Sequence, residues 1–382
     1  YNAVFGEHRG DKLLTLMAES IEGIAGCFDI CTYGRINADT FCICEPYDSE
    51  RLHMQVRMVK EELAGFEKNY LLEPTVGAYI VEEDLAVEEM YIRAFIGSKK
   101  CKNKFASYLG FYDMDEGIRE VEEAAITSSM QAAMDEEQFV VYFQPKFDIA
   151  NDRDIGAEAL VRWKHPDTGL MPPKHFIPIF EKNGFISRLD YYVWEHVCRL
   201  IHKWLGDGIC LDPITVNISR ISLYNPRLAD ILSGLIEQYD VPIGLLNLEI
   251  TESAYVSDPE LIQEAIRKLH QAGFILLMDD FGSGYSSLNM LKDIDVDVLK
   301  IDMQFLSGGE SPGKGKIILE SVIQMANNLG MPVIMEGVET QEQTRFLYKI
   351  GCNYVQGYYY ARPMPQEEYE KKYIYRRKGA TL

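Results

Sequence analysis

The chain lacks the residue spacings of a zinc site and the apolar runs of a membrane protein. Its eight cysteines are scattered without a C-x-x-C pair, and its seven histidines form no H-x-x-x-H pair. We therefore expect reduced, buried thiols. No apolar run is long enough to span a bilayer, and the first residues do not have the pattern of a signal peptide.

The start of the chain leads to a separate expectation about its context. The chain begins at Tyr1 without Met. We expect that upstream sequence has been cut away and that it could have contained a membrane or sensor module. We expect the chain itself to be cytoplasmic.

Positively charged residues are also scarce. The chain has 38 Lys and Arg residues but 59 Asp and Glu residues, and its formal net charge is -21. Duplex nucleic acids are bound mainly through Lys and Arg at phosphates, so we exclude them as partners. A phosphate-bearing substrate remains compatible with this charge if bound cations reverse the local sign of the site. The length of 382 residues and the 47% hydrophobic content are sufficient for two soluble domains.

Residues 1–112 predict a small α+β domain. Helical patterns over 11–24, 49–70 and 87–99 alternate with strand patterns over 27–32, 40–44 and 75–81, with a turn at Tyr33–Asp39. Residues 113–137 then predict a linker helix, because apolar residues recur there every three to five positions among acidic ones. A simple connecting helix is favoured over a signalling helix that pairs between subunits.

Residues 138–375 repeat a strand, loop and helix pattern that predicts a (β/α)8 barrel. Helix starts are marked at Asn225-Pro226, Asp258-Pro259 and Thr340 with Gln343, and helix ends at Gly330 and Gly351. Eight apolar segments are strand candidates: 140–149, 155–163, 214–219, 245–251, 274–280, 296–301, 332–336 and 352–356.

Polar side chains recur where these apolar segments end. They are Glu158, Asn217, Glu249, Asp279, Asp280 and Glu336, together with Gln144, Lys300 and Gln356. A single acid at such a position is typically a solvated loop carboxylate or a helix cap. Five carboxylates and one amide at successive strand ends favour a common site, because the strand ends of a parallel barrel converge on one rim.

Carboxylate and amide oxygens are the preferred ligands of Mg²⁺ and Mn²⁺, so the pattern predicts a divalent-metal site. The tandem acids Asp279 and Asp280 are suited to bridging two cations if the second turns inward with the following loop. Two cations activate water and stabilise the oxygens of a phosphoryl centre. Lys300 is the candidate for orienting that water or neutralising the phosphorane, and a strand-end ion pair is its structural alternative.

The second domain resembles the EAL family of bacterial phosphodiesterases, which hydrolyse cyclic di-GMP to linear pGpG. Eight segments in family order carry the resemblance: Y-F-Q-P at 142–145, E-A-L-V-R at 158–162, V-N-I-S at 216–219, E-I-T-E at 249–252, D-D-F-G-S-G-Y-S-S at 279–287, K-I-D at 300–302, E-G-V-E-T at 336–340 and Q-G-Y at 356–358. The resemblance implies a modified barrel whose first strand runs antiparallel to the others.

The resemblance also implies roles for individual residues and two cations, Mg²⁺ or Mn²⁺, in each site. Glu158, Asn217, Glu249 and Asp279 would hold one metal, and Asp279, Asp280 and Glu336 the second. Glu158, Lys300 and Glu336 would form the catalytic set, with Lys300 assisting the attacking water and Glu336 as a candidate base. The substrate-binding set would be Gln144, Leu160, Arg162 and Gln356, with Glu252 holding the 281–287 loop and Glu339 supporting the site.

The first domain resembles the later part of a degenerate, N-terminally truncated GGDEF domain, the diguanylate cyclase fold. Asn37–Phe41 occupies the signature position, and both its glycines and its metal-binding Glu are missing. The resemblance therefore implies no cyclase activity. Asn2 and Asp11 match guanine-contacting positions, which makes GTP a candidate regulator; a surface helix cap in a scaffold domain is the favoured alternative.

Three functions follow from these observations. The favoured one is a metal-dependent cyclic di-GMP phosphodiesterase, forming a homodimer as family members do. A catalytically silent cyclic di-GMP receptor that signals to a partner protein is the second, although such receptors commonly lose metal ligands that this chain retains. The third is a barrel enzyme that acts on an unrelated phosphorylated metabolite, and only the metal-binding rim supports it.

Overall fold

The computed structural model describes residues 1–25, 31–66, 72, 74–81, 85–99, 101, 108–282, 294–303 and 312–376. The chain forms two units, Tyr1–Ala125 and Ile126–Leu382, and each has its own buried side chains. Among the described residues, no helix combines the length and the apolar character needed to cross a bilayer.

The first unit alternates helices with short strands. Its elements are α1 Asn2–Phe5, α2 Glu7–Ala25, β1 Thr32–Asn37, β2 Thr40–Cys44, α3 Ser49–Phe66, β3 Val76–Ala78, α4 Val87–Lys99 and β4 Leu109–Phe111. β1 and β2 form an antiparallel hairpin, and β3 pairs in parallel with β4. Residues 27–30 and 67–70, included in the predicted elements, lie outside the described residues.

The predicted turn at Tyr33–Asp39 is wrong over most of its length. β1 continues to Asn37, and only Ala38 and Asp39 connect it to β2. All six side chains of β1 are exposed, so the strand has no alternation of apolar and polar residues that would mark it in the sequence.

Glycine allows α4 to pack closely on the β3–β4 pair. A Cβ atom on Gly77 would lie 1.8 Å from the carbonyl oxygen of Ala94, and one on Gly97 would lie 2.7 Å from that of Gly110. Any larger residue at Gly77 would have to push the helix away from the strand.

A long helix, α5 Met114–Asp135, precedes the barrel. The following elements are β5 Phe139–Asp148, β6 Arg153–His165, β7 Gly169–Met171, α6 Ile177–Asn183, α7 Ile186–Gly206, β8 Ile214–Asn217, α8 Arg220–Leu223, α9 Leu228–Gln238, β9 Leu246–Thr251, α10 Glu252–Ser257, α11 Pro259–Ala272, β10 Leu276–Asp279, β11 Val298–Asp302, α12 Pro312–Asn328, β12 Val333–Glu336, α13 Gln341–Lys349, β13 Tyr354–Val355, β14 Met364–Pro365 and α14 Gln366–Tyr369.

Eight of these strands close into a barrel, in the order β5, β6, β8, β9, β10, β11, β12 and β13. β5 is antiparallel to both of its neighbours, β6 and β13, whereas the other pairs are parallel. The eight predicted strands and the antiparallel first strand are confirmed.

Strand register brings the polar strand ends to one rim. Asn217 lies opposite Glu249 in the β8–β9 pair, and Asp302 lies opposite Glu336 in the β11–β12 pair. Along β8, buried Ile214 and Val216 join the core between sheet and helices, so the alternating Thr215 and Asn217 face the barrel interior.

Helix boundaries follow the local capping residues. Thr340 and Gln343 form a capping box at the start of α13, and the Asp258 side chain accepts from the backbone N–H of Leu261 at the start of α11. Gly330 and Gly351 follow α12 and α13 with φ of 75° and 82°, as predicted for helix ends. The start predicted at Asn225-Pro226 is early, because α9 begins at Leu228.

The described residues of the second unit form two buried clusters. The larger lies between the barrel and its helices and includes Val216, Leu248, Trp194 and Ile201. The smaller joins the C-terminal part of α5 to α6, α7 and the start of β5. Its members are Ile126, Ala133, Phe139, Trp163, Phe176, Phe180, Phe185, Ile186 and Leu189.

Candidate metal centre

Lys300 lies among four carboxylates at the rim of the barrel. Its Nζ atom is 2.6 Å from Glu249 Oε1, 3.2 Å from Glu158 Oε2 and 3.4 Å from Asp279 Oδ1, and it also pairs with Glu336. The side chain of Lys300 is 1% exposed. One oxygen each from Glu158, Glu249 and Glu336 lies within 4.8 Å of the other two. These three carboxylates are close enough to share one cation.

Two amide side chains, one at the end of β8 and one directly after β13, donate hydrogen bonds to Glu158. Asn217 Nδ2 donates to Glu158 Oε1 at 3.0 Å, and Gln356 Nε2 donates to Glu158 Oε2 at 2.8 Å. Gln356 Nε2 also donates to Gln144 Oε1 at 3.1 Å, and Gln144 Nε2 donates to the carbonyl of Ala361. Strands distant in sequence therefore bring their polar ends into one hydrogen-bonded network.

The charges of the site are not balanced by Lys300. Burial raises the pKa of Glu249 well above its ordinary value, and the Glu158 carboxylate raises it further. Burial also raises the pKa of Glu336 to about 7, although Lys300 acts in the opposite direction. For Lys300, burial alone would lower the pKa, but the surrounding carboxylates raise it well above its ordinary value. Buried acids of this kind require a proton or a further cation.

Several carboxylate oxygens at the site accept no hydrogen bond from the described residues. They are Glu249 Oε2, Asp279 Oδ1 and Glu336 Oε1, all buried. The Lys300 ammonium forms ion pairs with the last two. Buried polar atoms are normally paired, and oxygen atoms of this type are the usual ligands of hard divalent cations. The donor set therefore fits a divalent metal.

Asp280 has an unusual backbone conformation directly after β10. Its φ is 56°, in the left-handed region that non-glycine residues seldom adopt. Burial and then the Asp279 carboxylate raise the pKa of Asp280, and Lys300 opposes them. The chain thus turns immediately after Asp279, and both acids stay in electrostatic range of the centre. Asp280 is outside the group formed by Glu158, Glu249 and Glu336.

Buried polar side chains around Lys146 lie inside the barrel and were not predicted from the sequence. Lys146 is buried, and its Nζ donates to Thr215 Oγ1. Burial lowers the pKa of Lys146 to about 8, while Glu249 acts to raise it. Asn247 Oδ1 is buried without a partner among the described residues. The sequence did contain a signal for this position. Lys146 follows Gln144 by two residues on β5, so both side chains are expected on the same face of the strand.

A cavity of about 420 Å³ opens beside the acids, within the usual size of small-molecule sites. Its lining includes the predicted Gln144, Glu336, Glu339 and Gln356. The lining residues not predicted are Asp302, Met303, Gly337, Gln343, Gly357 and Tyr358. The Glu339 side chain is exposed, and its backbone N–H donates to Gln343.

The other predicted substrate contacts lie nearby but outside that lining. Leu160 and Arg162 are half-buried and lie on the same face of β6 as Glu158. The Arg162 guanidinium lies 5.7 Å from the ring centroid of Tyr142, and both Tyr358 and Glu158 act to raise its pKa, which burial lowers. These residues therefore line the same side of the barrel mouth.

Glu252 supports the loop that follows β10. Its side chain is buried, and Oε2 accepts from the backbone N–H of Gly282 at 2.8 Å. Residues 283–287 of the predicted covering loop lie outside the described residues.

Asn2 and Asp11 lie in α1 and α2 of the first unit, and both are exposed. The Asn2 side chain lies against Gly10, where an added Cβ would be 2.0 Å from Asn2 Oδ1. Their contact with a nucleotide stays a prediction.

Curated relatives match nearly the whole chain. The bifunctional diguanylate cyclase/cyclic di-GMP phosphodiesterase MucR of Pseudomonas aeruginosa is 30% identical over 96% of this chain and 54% of its own length. The cyclic di-GMP phosphodiesterase NbdA of the same organism is 29% identical over 95% of this chain and 47% of its own. The chain spans about half the length of these relatives.

Solved structures match about two thirds of the chain. The chain is similar to "PaMucR Phosphodiesterase, c-di-GMP complex", with a TM-score of 0.60, 34% identity, and coverage of 64% of this chain and 99% of that one. It is also similar to an EAL domain protein from Listeria monocytogenes EGD-e, with a TM-score of 0.57, 30% identity, and coverage of 65% and 97%. The EAL domain family matches residues 127–363. With this match over more than half of its length and the closed barrel with an antiparallel first strand, the chain belongs to the EAL domain family.

Proposed function

We propose that the barrel is a metal-dependent phosphodiesterase that hydrolyses cyclic di-GMP to linear pGpG. The observation that carries this proposal is the group of buried Glu158 and Glu249 and half-buried Glu336 around the ammonium group of Lys300. The names of the relatives NbdA and MucR, both cyclic di-GMP phosphodiesterases, support the choice of substrate.

Two divalent cations, Mg²⁺ or Mn²⁺, fit the donor set. Glu158, Asn217, Glu249 and Asp279 would hold one, and Asp279, Asp280 and Glu336 the other. When bound, such cations supply Lewis acidity at phosphorus and lower the pKa of water. They would also balance the carboxylates that Lys300 alone leaves uncompensated.

The protein's own groups would orient water and move its proton. In the reaction, the water oxygen bonds to one phosphorus, the 3′-oxygen leaves and takes a proton, and the ring opens to pGpG. Glu336, which pairs with Lys300 at the site, is the candidate to accept the proton of the attacking water. The Lys300 ammonium would stabilise charge that develops on the phosphoryl oxygens.

The cavity beside the acids would hold the dinucleotide. Gln144 and Gln356 line it and also hydrogen-bond to each other, so their amides form a fixed wall. Arg162 and Leu160 would add a cationic and an apolar contact on the β6 side. Glu252 would keep the loop after Asp280 in place through Gly282.

Turnover of cyclic di-GMP tests the proposal. The purified chain is incubated with cyclic di-GMP and Mn²⁺ or Mg²⁺, and nucleotides are separated by chromatography. Formation of pGpG that stops with EDTA supports the proposal. Retention of uncleaved ligand would instead identify a silent receptor that signals to a partner, and no binding would point to a different phosphorylated substrate.

For the first unit we propose a non-catalytic GGDEF-like regulatory domain spanning residues 1–112, joined by a linker helix over 113–137 to the phosphodiesterase domain over 138–375. The β1–β2 hairpin, whose connecting residues Ala38 and Asp39 lie within the signature position, supports the resemblance. GTP is the candidate regulator through Asn2 and Asp11. Titration of GTP against the phosphodiesterase rate tests this, and a flat response without binding would leave the unit as a scaffold.

We also propose a homodimer. Two isoleucines on α12, Ile317 and Ile318, are 66% and 50% exposed, and adjacent exposed apolar side chains favour association. Light scattering coupled to gel filtration measures the mass in solution, and a monomer at micromolar concentration would refute this point.

A further inference from the structure

Helix α7 makes three hydrogen bonds to the turn that follows β8. Asp190 Oδ2 accepts from the backbone N–H of Ser219 at 3.0 Å and from Ser222 Oγ at 2.7 Å. Trp194 Nε1 donates to the backbone carbonyl of Asn217 at 3.0 Å. Asp190 is 8% exposed and Trp194 is 2% exposed. A carboxylate and an indole one helical turn apart therefore hold both sides of this turn.

The same turn carries Asn217 at the edge of the metal centre. The Asn217 amide donates to Glu158 at 3.0 Å, so its oxygen is left for a cation. The backbone N–H of Ile218 donates to the carbonyl of Glu249. Asn217 is thus the link between the carboxylates and a turn whose backbone position depends on α7.

We propose that Asp190 and Trp194 are positioning residues that set the orientation of Asn217 for divalent-metal binding. The inference rests on the proposed metal-dependent function of the barrel. Neither residue belongs to the strand ends that supply ligands, and both act through the backbone on either side of Asn217 and Ile218. Removal of a group that hydrogen-bonds to a metal ligand and fixes its orientation typically lowers metal affinity by about 10–100-fold.

A second buried tryptophan of α7 provides a matched control. Trp204 is fully buried, and its Nε1 donates at 3.0 Å to Glu370 Oε1, a contact with the C-terminal part of the chain. Trp194→Phe and Trp204→Phe each remove one indole donor at the same distance from the same helix. A loss that arises only from weakened packing of α7 would affect both variants.

The test measures binding of Mn²⁺ alone to the whole chain, by titration calorimetry or by the electron paramagnetic resonance signal of free Mn²⁺. We expect a weaker Mn²⁺ affinity by about 3–10-fold in Trp194→Phe and by about 10–100-fold in Asp190→Ala. Asp190→Asn retains an acceptor oxygen, so it should keep most of the affinity. Trp204→Phe should remain within about twofold of the parent chain.

Each outcome has a defined meaning. Equal affinities of Trp194→Phe and Trp204→Phe, with the parent chain binding Mn²⁺, would overturn the positioning role and leave the proposed function intact. A parent chain that binds no Mn²⁺ would overturn the metal site and this inference with it. Circular dichroism checks folding, and if Asp190→Ala does not fold, the comparison of the two tryptophan variants decides the question.

Discussion

Lys300 Nζ lies 2.6 Å from Glu249 Oε1, and both side chains are almost completely buried. Lys300→Met should lower kcat by at least about 100-fold, because it removes a fixed positive charge from the site of developing negative charge. In EDTA it should also lower the free energy of unfolding by about 3 kcal/mol, because the acids lose their buried partner. Turnover assays and urea denaturation measure the two effects.

Lys203→Met is the control for Lys300→Met. Lys203 pairs with Glu370 at 2.9 Å, but its side chain is 48% exposed. Exposed ion pairs contribute about 1 kcal/mol or less, so this variant should keep its turnover and most of its stability. Normal turnover in Lys300→Met would exclude Lys300 from catalysis.

Glu158→Gln should reduce turnover at least about 100-fold and weaken Mn²⁺ binding. Both oxygens of Glu158 accept hydrogen bonds, from Asn217, Gln356 and Lys300. In this variant the side-chain NH₂ group would face hydrogen-bond donors and could not accept from them. The substitution also removes one negative charge. Because the expected defect is in metal binding, raising the Mn²⁺ concentration should restore part of the activity.

Glu264→Gln changes the same side chain on the surface of α11, where Glu264 pairs only with Arg267 and Lys268 among the described contacts and is 48% exposed. Its rate and Mn²⁺ dependence should match those of the parent chain. If Glu158→Gln behaves like Glu264→Gln, Glu158 is not a metal ligand.

Arg162→Ala should raise KM for cyclic di-GMP by about tenfold and change kcat less. The guanidinium is half-buried beside Tyr142 and lies near no catalytic carboxylate closely enough to form an ion pair among the described contacts. It is therefore expected to contribute to binding of the phosphate or base, at about 1.4 kcal/mol for each tenfold change. Steady-state kinetics separate KM from kcat.

Arg153→Ala is the matched arginine variant on the same strand. Arg153 is 56% exposed and lies 3.7 Å from Asp212, at the opposite end of β6. Its KM should be unchanged. An equal rise of KM in both variants would mean that the effect comes from net charge and not from a contact of Arg162.

The barrel and most of its site could be predicted because both leave local signals. Apolar runs marked every strand of the barrel, and the polar residues among them marked the site that Glu158, Glu249 and Glu336 share. The predicted strand-end position is correct for Glu336 but wrong for Glu158 and Glu249, because β6 and β9 continue beyond them. Lys146 was missed because a single Lys after Gln144 and Pro145 resembles a surface residue. Only closure of the barrel, which brings β5 and β8 onto either side of β6, places its side chain next to Thr215.

Contacts between elements left no signal in the sequence. Asp190 and Trp194 belong to an amphipathic helix in which an aspartate is ordinarily solvated, and nothing local indicates that Ser219 and Ser222 would bury it. The fully exposed β1 strand gave no alternation to recognise. In both cases the missing information was which element lies beside which.

The buried Asp190 carboxyl predicts a pH dependence of stability. Burial raises its pKa from the ordinary 3.8 to about 6, against the hydrogen bonds from Ser219 and Ser222. The folded chain therefore binds this proton more tightly, and the stability it contributes is complete below about pH 3.8 and is lost as the pH rises through about 6. The difference corresponds to about 3 kcal/mol.

Asp190→Asn lacks this titration, so its stability relative to the parent chain should rise by about 2 kcal/mol between pH 4 and pH 7.5. Ser222→Ala should have the opposite effect, since removal of a donor to the carboxylate raises the pKa of Asp190 further and enlarges the loss at high pH. Urea denaturation across this pH range measures both. A constant difference between Asp190→Asn and the parent chain would mean that Asp190 is already ionised at pH 4, with its hydrogen bonds from Ser219 and Ser222 compensating its burial in full.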